Sequence, residues 1–179
     1  MECLVSRSNQ GKTIIVIPAR GGSKRIPNKN IVDFYGHPMI FWTIRAAQET
    51  PNIARIVVST DSEDIAGAAR SFGLEVPFKR DRFLDDHAPV SQATIRAVEQ
   101  AEQYWAEDYS TVVQMMPNCP LRTSEDTCSA LQFFRGSNLR AVISTFEPPF
   151  VNIHWAMTQN EQTGRIASIF PDKREQRSQ

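Results

Sequence analysis

The chain has 179 residues, of which 41% are hydrophobic and 22% are charged. This length suits one α/β domain with a buried core and is too short for two full domains. Basic and acidic residues number 20 each, so the formal net charge is zero and no overall field favours a nucleic acid or a membrane surface as the partner.

Cysteine usage and the amino terminus favour a reduced, cytoplasmic protein. The three cysteines form no C-x-x-C or metal-ligand spacing, and their number is odd. The first ten residues lack an apolar segment of signal-peptide length, and no run approaches the roughly 18 apolar residues of a membrane span. We expect an N-terminal extension over residues 1–11 and a single domain over residues 12–179.

The first predicted element is a buried strand at residues 14–17 (IIVI), which ends at Pro18 because proline cannot donate to a sheet ladder. Gly21 and Gly22 follow it, and neither has a Cβ to prevent positive φ or close approach to a ligand. Four cations surround these glycines: Arg20, Lys24, Arg25 and Lys29. A turn of this kind after a strand suits a polyphosphate, and an ordinary solvated basic loop is the alternative.

Two familiar phosphate-binding motifs are absent from this segment. The Walker-type loop needs G-x-x-x-x-G-K-T, but the Gly11-Lys12-Thr13 sequence has Ser6 in place of the first glycine and precedes the strand. The G-x-G-x-x-G spacing of dinucleotide-binding loops is also missing. The segment therefore belongs to neither of these motif classes.

Strands and helices alternate with short connections along the rest of the chain, which predicts an α/β fold with a mostly parallel sheet. Helices are predicted at 38–48, from a polar cap at 61–63 to about 72, at 91–107, and after Thr123 or Ser124. Strands are predicted at 55–60, 75–78, 111–116 and 140–146, and as a pair within 153–170 joined through 160–164. The helix at 91–107 should bury one stripe: Ile95, Val98, Ala101 and Trp105.

The most informative loops all follow predicted strands. They lie at residues 18–30, 60–62 and 117–122. Ligands of open parallel sheets bind at the carboxyl ends of the strands. We therefore expect these three loops to meet around a ligand.

The sequence of residues 18–30, PARGGSKRIPNKN, resembles the signature loop of the acylneuraminate cytidylyltransferases, which join a nonulosonic acid such as a sialic acid to CMP. The resemblance covers most of the chain from Thr13 onward. It implies a three-layer α/β sandwich with a mostly parallel, Rossmann-like sheet of the nucleotide-diphospho-sugar transferase type. It also implies CMP transfer from CTP to the anomeric hydroxyl of a nonulosonic acid, with release of pyrophosphate, Mg²⁺ as the metal and a homodimeric protein.

The resemblance gives the residues of the first loop two roles. Catalytic residues that act on the phosphates would be Arg20, Lys24 and Lys29. Residues that bind CTP would be Gly21, Gly22, Ser23 and Asn30. The chemistry agrees, because Arg and Lys neutralise phosphate charge while hydroxyl, amide and backbone groups add directional hydrogen bonds.

Arg80 and Ser91 form a second predicted CTP-binding set. They are eleven residues apart, as in the family, and by resemblance would lie near the cytosine and the ribose. Two alternatives stay open: Arg80 forms a surface salt bridge with Asp81 or Asp85, and Ser91 is only a helix N-cap.

The block QMMPNCPLR, at residues 114–122, departs from the family pattern. Relatives commonly read QPTSPLR, so alignment of Pro-Leu-Arg puts Met116 at the glutamine and Asn118 at the threonine. Gln114 lies two residues earlier and would point the same way on a strand, which makes it the candidate substitute. We expect Gln114 and Asn118 to contact the sugar acid.

Two arginines complete the predicted sugar-acid site. Arg122 either binds an anionic substrate or pairs with Glu125 or Asp126. Arg177 matches a family arginine that meets the sugar carboxylate, and a charged tail is the alternative reading of residues 172–179.

Metal ligands and a general base are not assigned within this chain. The family's D-x-D-like pair, which binds Mg²⁺, would lie beyond Gln179, so the resemblance implies a truncated copy. Asp61 and Asp64 are interpreted as helix-opening residues. His87 and His154 are candidate bases only because histidines titrate near neutrality.

The segment at 146–179 is expected to serve dimerisation and sugar binding. Its first part, FEPPFVNIHW, is rich in aromatic residues, and such a patch is rarely left uncovered. Two further functions stay open for the chain as a whole. It could bind CTP without turnover, or it could be a nucleotidyltransferase for a different sugar.

Overall fold

The structure, a computed structural model, describes residues 11–23, 26–82, 88–145, 156–160 and 162–173. The chain divides after Val142 into two compact units, 1–142 and 143–179. In chain order the elements of the first unit are β1 (Lys12–Pro18), a 3-10 helix (Lys29–Ile31), β2 (Asp33–Phe34), β3 (His37–Pro38), α1 (Met39–Gln48), β4 (Arg55–Ser59), α2 (Glu63–Ser71), α3 (Val90–Trp105), β5 (Tyr109–Gln114) and α4 (Ser124–Gly136). No helix in the described parts of the chain combines the length and apolar character needed to cross a bilayer.

The main sheet of the first unit consists of three parallel strands in the order β4, β1, β5, and β2 and β3 form a separate antiparallel pair. The central strand, β1, is buried on both faces. Ile15 and Ile17 pack against α1 and α2, whereas Ile14 and Val16 pack against α3. A strand covered on both faces reads as a continuous apolar run, which is why residues 14–17 were identifiable. The helix–sheet–helix layering confirms the predicted α/β sandwich.

Two predicted strands are wrong. Residues 75–78 form no strand, because Val76 and Phe78 pack individually against the two helical layers and make no sheet ladder. Residues 140–145 form no strand either: Val142 and Ile143 are 38% and 84% exposed, respectively, so their apolar character does not reflect burial in a sheet. The final residue of that prediction, 146, lies outside the described residues.

The apolar face of α3 differs from the predicted stripe. Ile95 is 59% exposed, whereas Ala97 and Ala101 are fully buried against β1 and β4. The predicted stripe is right at Ala101 and partly right at Val98 and Trp105, which pack at the edge of the same cluster. Small side chains let this helix lie close to the sheet, so the buried face follows the alanines and not the largest aliphatic residue.

Helix ends follow the predicted local rules. Gly73, just past α2, has φ of 81°, a conformation that glycine adopts without strain. Thr123, and not Ser124, is the N-cap of α4. Its hydroxyl accepts from Asp126 N–H, while the Asp126 carboxylate accepts from Thr123 N–H at 2.8 Å, which is a capping box.

The described part of the second unit contains an antiparallel hairpin. Its strands are β6 (Met157–Gln159) and β7 (Ile166–Ser168), followed by a 3-10 helix at Pro171–Lys173. Asn160 shapes the turn by accepting a hydrogen bond from Thr163 N–H at 2.8 Å. The predicted pair of strands joined through residues 160–164 is confirmed.

An ion network joins the amino ends of the three sheet strands. The Glu107 carboxylate forms ion pairs with Arg55 Nη2 at 2.9 Å and with Lys12 Nζ at 3.2 Å. It also accepts a hydrogen bond from the Tyr109 hydroxyl at 3.0 Å. The hydrogen bonds from Arg55 are the main reason why the pKa of Glu107 falls to about 2. This network lies at the opposite end of the sheet from the loops that follow β1 and β4.

Replacing Glu107 with glutamine should flatten the acid dependence of stability. The pKa of Glu107 is about 2 in the folded protein and 4.5 ordinarily, so its stabilising contribution is present above about pH 4.5 and is lost as the pH falls through about 2. Urea unfolding of both proteins across this range should show their difference in unfolding free energy shrinking as the pH falls. A constant difference would contradict the role of the network.

Candidate nucleotide-binding site

The carboxyl ends of β1 and β4 remain joined beyond the sheet. Pro18 lies opposite Ser59 in the ladder, and Ala19 N–H donates to the Ser59 carbonyl at 2.9 Å. Two residues further on, Gly21 N–H donates to the Asp61 carboxylate at 2.8 Å. The first loop (residues 18–30) therefore starts from a backbone position that is fixed against the start of α2.

The two glycines of the loop are needed for different reasons. A Cβ at Gly21 would lie 3.1 Å from Ser62 Cβ, so close packing against the start of α2 excludes a larger residue without adjustment. Gly22 has open space around its Cα but a φ of +62°, in the left-handed region that glycine adopts most readily. The predicted need for positive φ thus applies to Gly22.

A cleft of about 210 Å³ opens at this end of the sheet. Its polar lining comes mainly from the first loop, with Arg20, Gly21, Ser23, Lys29 and Asn30, and Arg80 adds a further cation from the segment between α2 and α3. Its remaining lining comes from the strand ends, the start of α3 and the segment after β5: Pro18, Ala88, Val90, Ala93, Met116, Pro117 and Asn118. The cleft therefore combines cations with an apolar surface, as a ligand with both anionic and planar or aliphatic parts requires.

Asn30 lines the cleft and carries a buried hydrogen-bond acceptor. The residue is 5% exposed, and its Nδ2 donates to the Arg20 carbonyl at 2.8 Å. Its Oδ1 is buried and has no partner among the described residues. A buried acceptor without a partner is costly, so this oxygen is suited to accept from a ligand.

Arg80 is an inward-facing cation, 7% exposed. Its Nε donates to Ser59 Oγ at 3.1 Å, its Nη2 donates to the Ser59 carbonyl at 2.6 Å, and its backbone N–H donates to the Thr60 carbonyl at 2.8 Å. Burial lowers the pKa of Arg80, nearby Asp61 opposes that shift, and nearby Arg20 adds to it. Asp61 and Arg20 are thus both close enough to Arg80 to affect its pKa.

The residues around Arg80 fasten its segment to α3. Asp81 pairs with Arg96 of α3 at 2.6 Å, and Gln100 Nε2 donates to the Lys79 carbonyl at 3.0 Å. The Arg96 hydrogen bonds lower the pKa of Asp81 to about 2. The alternative prediction, a surface salt bridge between Arg80 and Asp81, is therefore wrong. Asp85, the other proposed partner, lies outside the described residues.

Of the predicted CTP-binding residues, Ser91 and Gly22 do not line the cleft. Ser91 lies in the first turn of α3 with an exposed side chain, and Val90 and Ala93 of the same turn line the cleft in its place. The N-cap of α3 is Pro89, so the alternative reading of Ser91 as an N-cap is wrong, while its binding of CTP stays a prediction.

The predicted sugar-acid residues are only partly brought to the cleft. Asn118 and Met116 line it, but Gln114 does not. Gln114 Oε1 accepts from Thr94 Oγ1 at 2.7 Å, which holds this side chain against α3. The expectation that Gln114 replaces the family glutamine in the cleft therefore has no support in this geometry.

Arg122 does not pair with the acids proposed for it. Among the described residues it forms no ion pair with Glu125 or Asp126, and its Nη1 is buried without a hydrogen-bond partner. Hydrogen bonds from Thr123 are the main cause that lowers the pKa of Asp126. Arg122 is also not part of the cleft lining, so its binding of an anion stays a prediction.

Several residues named from the sequence lie outside the described residues: Lys24, Arg25, Asp85, His87, His154 and Arg177. Within the described ranges, no group of three or more His, Cys, Asp or Glu residues is placed to hold a metal ion. The described residues therefore offer no cluster of this kind for a metal.

Sequence reasoning missed the role of Asp61. It was interpreted as a helix-opening residue, but Ser62 is the N-cap of α2, and Asp61 binds Gly21. The available signal was its place directly after a buried strand, beside the loop that follows the neighbouring strand.

Solved structures with a similar architecture are nucleotidyltransferases. One is a CMP:2-keto-3-deoxy-manno-octonic acid synthetase complexed with CTP, with a TM-score of 0.57 and 29% identity, which covers 70% of this chain and 48% of that chain. Another, similar in fold, is a cytidylyltransferase from Leptospira borgpetersenii, with a TM-score of 0.56 and 22% identity over 72% of this chain and 51% of that chain. The fold is thus that of the α/β nucleotidyltransferases.

The family model described as Cytidylyltransferase matches residues 14–147, and the chain belongs to this family. It is 32% identical to the pseudaminic acid cytidylyltransferase of Campylobacter jejuni over 84% of this chain and 66% of that protein. It is also 32% identical to the CMP-N,N'-diacetyllegionaminic acid synthase of Legionella pneumophila over 90% of this chain and 69% of that protein. The resemblance to nonulosonic acid cytidylyltransferases is confirmed.

The chain spans only part of its relatives. Across four curated relatives, it covers between 47% and 69% of the relative's length. The family match includes the whole lining of the cleft, from Pro18 to Asn118.

Proposed function

We propose that this protein transfers CMP from CTP to the anomeric hydroxyl of a nonulosonic acid and releases pyrophosphate. The observation that carries the proposal is the family match over residues 14–147, which contains a cleft lined by Arg20, Lys29 and Arg80. Relatives named for pseudaminic, legionaminic and N-acylneuraminic acids support this class of sugar acid as the acceptor.

The reaction requires positioning and charge neutralisation. The sugar hydroxyl oxygen forms a bond to the α-phosphorus of CTP, the bond to the bridging oxygen of the leaving pyrophosphate breaks, and the hydroxyl proton is lost. Arg20, with Lys24, would stabilise charge on the β- and γ-phosphates, and Lys29 would lie nearer the α-phosphate. Preorganised cations of this kind contribute most where charge increases in the transition state.

Polar groups of the cleft would orient the nucleotide. Ser23 supplies a hydroxyl, Gly21 lies in a backbone turn, and Asn30 Oδ1 can accept from a ligand donor. Arg80, held by Ser59, would contact the nucleoside. Gly22 would act indirectly, by allowing the loop its left-handed turn.

The acceptor sugar would meet residues beyond this nucleotide region. Asn118 lines the cleft and is the first candidate. Arg122 and Arg177 are proposed as carboxylate partners from the family resemblance. Met116 occupies cleft surface where relatives commonly carry glutamine, so this part of the acceptor site would be less polar than in those relatives.

We expect Mg²⁺ to accompany CTP, as the resemblance implies. Because the described residues offer no carboxylate cluster for it, no step of this proposal depends on a metal held by them.

A homodimer and a cytoplasmic location are likewise proposed from the resemblance and the cysteine pattern. Light scattering that gives the mass of one chain would contradict the dimer.

The proposal is tested by pyrophosphate release. Purified protein is incubated with CTP, Mg²⁺ and pseudaminic, legionaminic or N-acetylneuraminic acid, and we expect release that depends on both CTP and one of these acids. UTP and GTP in place of CTP should release far less. Calorimetric binding of CTP with no release would indicate a binding protein without turnover, and release only with another sugar would overturn the acceptor assignment.

A further inference from the structure

Asp61 lies behind the polar lining of the cleft and does not form part of it. Its Oδ1 accepts from the backbone N–H of Gly21 at 2.8 Å, across forty positions of sequence. Ser62, the next residue, begins α2 and would lie 3.1 Å from a Cβ at Gly21. The carboxylate and the helix start therefore both limit where the first loop can lie.

The charge of Asp61 also acts on Arg80. The Asp61 carboxylate attracts the Arg80 guanidinium, whereas Arg20 repels it. Asp61 therefore offsets the lowering of the Arg80 pKa that Arg20 causes. Gly21 directly follows Arg20 in sequence, so fixing the Gly21 amide also fixes the point from which the Arg20 side chain extends. Asp61 thus influences one arginine through the backbone and the other through its charge.

We propose that Asp61 is a positioning residue that, by accepting the Gly21 N–H, holds the first loop in the conformation that binds the β- and γ-phosphates of CTP. This inference rests on the proposed function. A hydrogen bond to a charged acceptor contributes more than one between neutral groups, and an unmade bond at this point would leave a flexible glycine pair to set the position of Arg20. The effect should be largest for ligands that carry the β- and γ-phosphates.

The experiment compares three variants with the wild-type protein. Asp61→Ala removes the acceptor and the charge, whereas Asp61→Asn keeps an acceptor oxygen and removes the charge. Asp64→Ala is the matched control, because Asp64 is an exposed acid in the first turn of α2. Calorimetry measures the Kd of each protein for CTP, pyrophosphate and CMP, thermal melting checks folding, and hydrogen exchange measures protection of residues 19–23.

Asp61→Ala should weaken CTP and pyrophosphate binding roughly tenfold or more, with a much smaller change for CMP, which lacks the β- and γ-phosphates. Asp61→Asn should fall between Asp61→Ala and the wild type, because it keeps an acceptor oxygen but loses the charge. Asp64→Ala should stay within about threefold of the wild type. Exchange at residues 19–23 should accelerate in Asp61→Ala and not in Asp64→Ala. This difference between CTP and CMP is one that a purely structural defect would not produce.

Three results would overturn the inference. They are wild-type CTP affinity in Asp61→Ala, an equal loss for CTP and CMP, or an Asp61→Asn protein as impaired as Asp61→Ala. If the wild-type protein binds neither CTP nor pyrophosphate, the proposed function itself fails. Hydrogen exchange then still decides whether Asp61 holds the loop.

Discussion

Replacing Arg20 with alanine is expected to lower kcat/KM for pyrophosphate release by roughly 100-fold or more, because one preorganised charge on the leaving phosphates is lost. Arg20 lines the cleft, and its carbonyl is held by Asn30 Nδ2 at 2.8 Å, so the start of its side chain is fixed before the nucleotide arrives. The measurement is steady-state release with CTP and the best acceptor sugar acid. Lys24→Ala carries the same expectation from its place in the signature loop.

The matched control for Arg20→Ala is Arg45→Ala. Arg45 lies on the exposed face of α1, where it pairs with Glu49 at 2.8 Å, and it does not line the cleft. Its replacement removes the same charge from the protein and should change kcat/KM by less than about threefold, since exposed helix pairs contribute little. Equal rates in the two variants would remove Arg20 from the mechanism.

Replacing Ile15 with alanine is expected to lower the free energy of unfolding by roughly 2–5 kcal/mol, the usual cost of truncating a fully buried aliphatic side chain. Ile15 is 0% exposed and lies in the central strand, against the layer formed by α1 and α2. Its surroundings are rigid on three sides, because β1 has a strand on each side and helices above, so the cavity cannot close easily. Urea unfolding monitored by fluorescence and circular dichroism measures the change.

Ile95→Ala makes the same chemical change and is the control. Ile95 is 59% exposed on α3, so its truncation should alter the free energy of unfolding by no more than about 0.5 kcal/mol. The two variants therefore separate the observed packing of α3 from the stripe that apolar spacing predicted. A loss at Ile95 comparable with that at Ile15 would mean that this face of α3 is buried in the protein.

Most of the α/β framework was predictable because its signals are local. β1 is a continuous apolar run closed by Pro18, and α4 begins with a Thr-x-x-Asp capping box. The false strand at 140–145 arose because residues such as Ile143 have strand-like character but no burial, and periodicity does not report which surface an apolar residue meets. The stripe on α3 failed for a related reason, since alanines carry little hydrophobic signal but pack closest.

The candidate site was predictable where its residues are neighbours in sequence. Arg20, Ser23, Lys29 and Asn30 belong to one loop, and the structure places all four at one cleft. That the loops after the strands come together was predictable from their place at the strand ends, but the individual contacts between them were not, such as the hydrogen bond from Gly21 to Asp61. Arg80 shows the difficulty most clearly, because its charged sequence context suggests solvent while backbone contacts with β4 bury it.

The amide of Asn30 has a consequence for the choice of ligand. Its Nδ2 donates to the Arg20 carbonyl, so a flip of the amide would break this hydrogen bond. The buried Oδ1 therefore remains a hydrogen-bond acceptor and not a donor. A compound that brings a hydroxyl or amino hydrogen to this point satisfies the oxygen. We therefore expect an O-methylated or otherwise donor-free analogue of the same shape to bind more weakly by about 1–3 kcal/mol, because it would leave this oxygen without a donor.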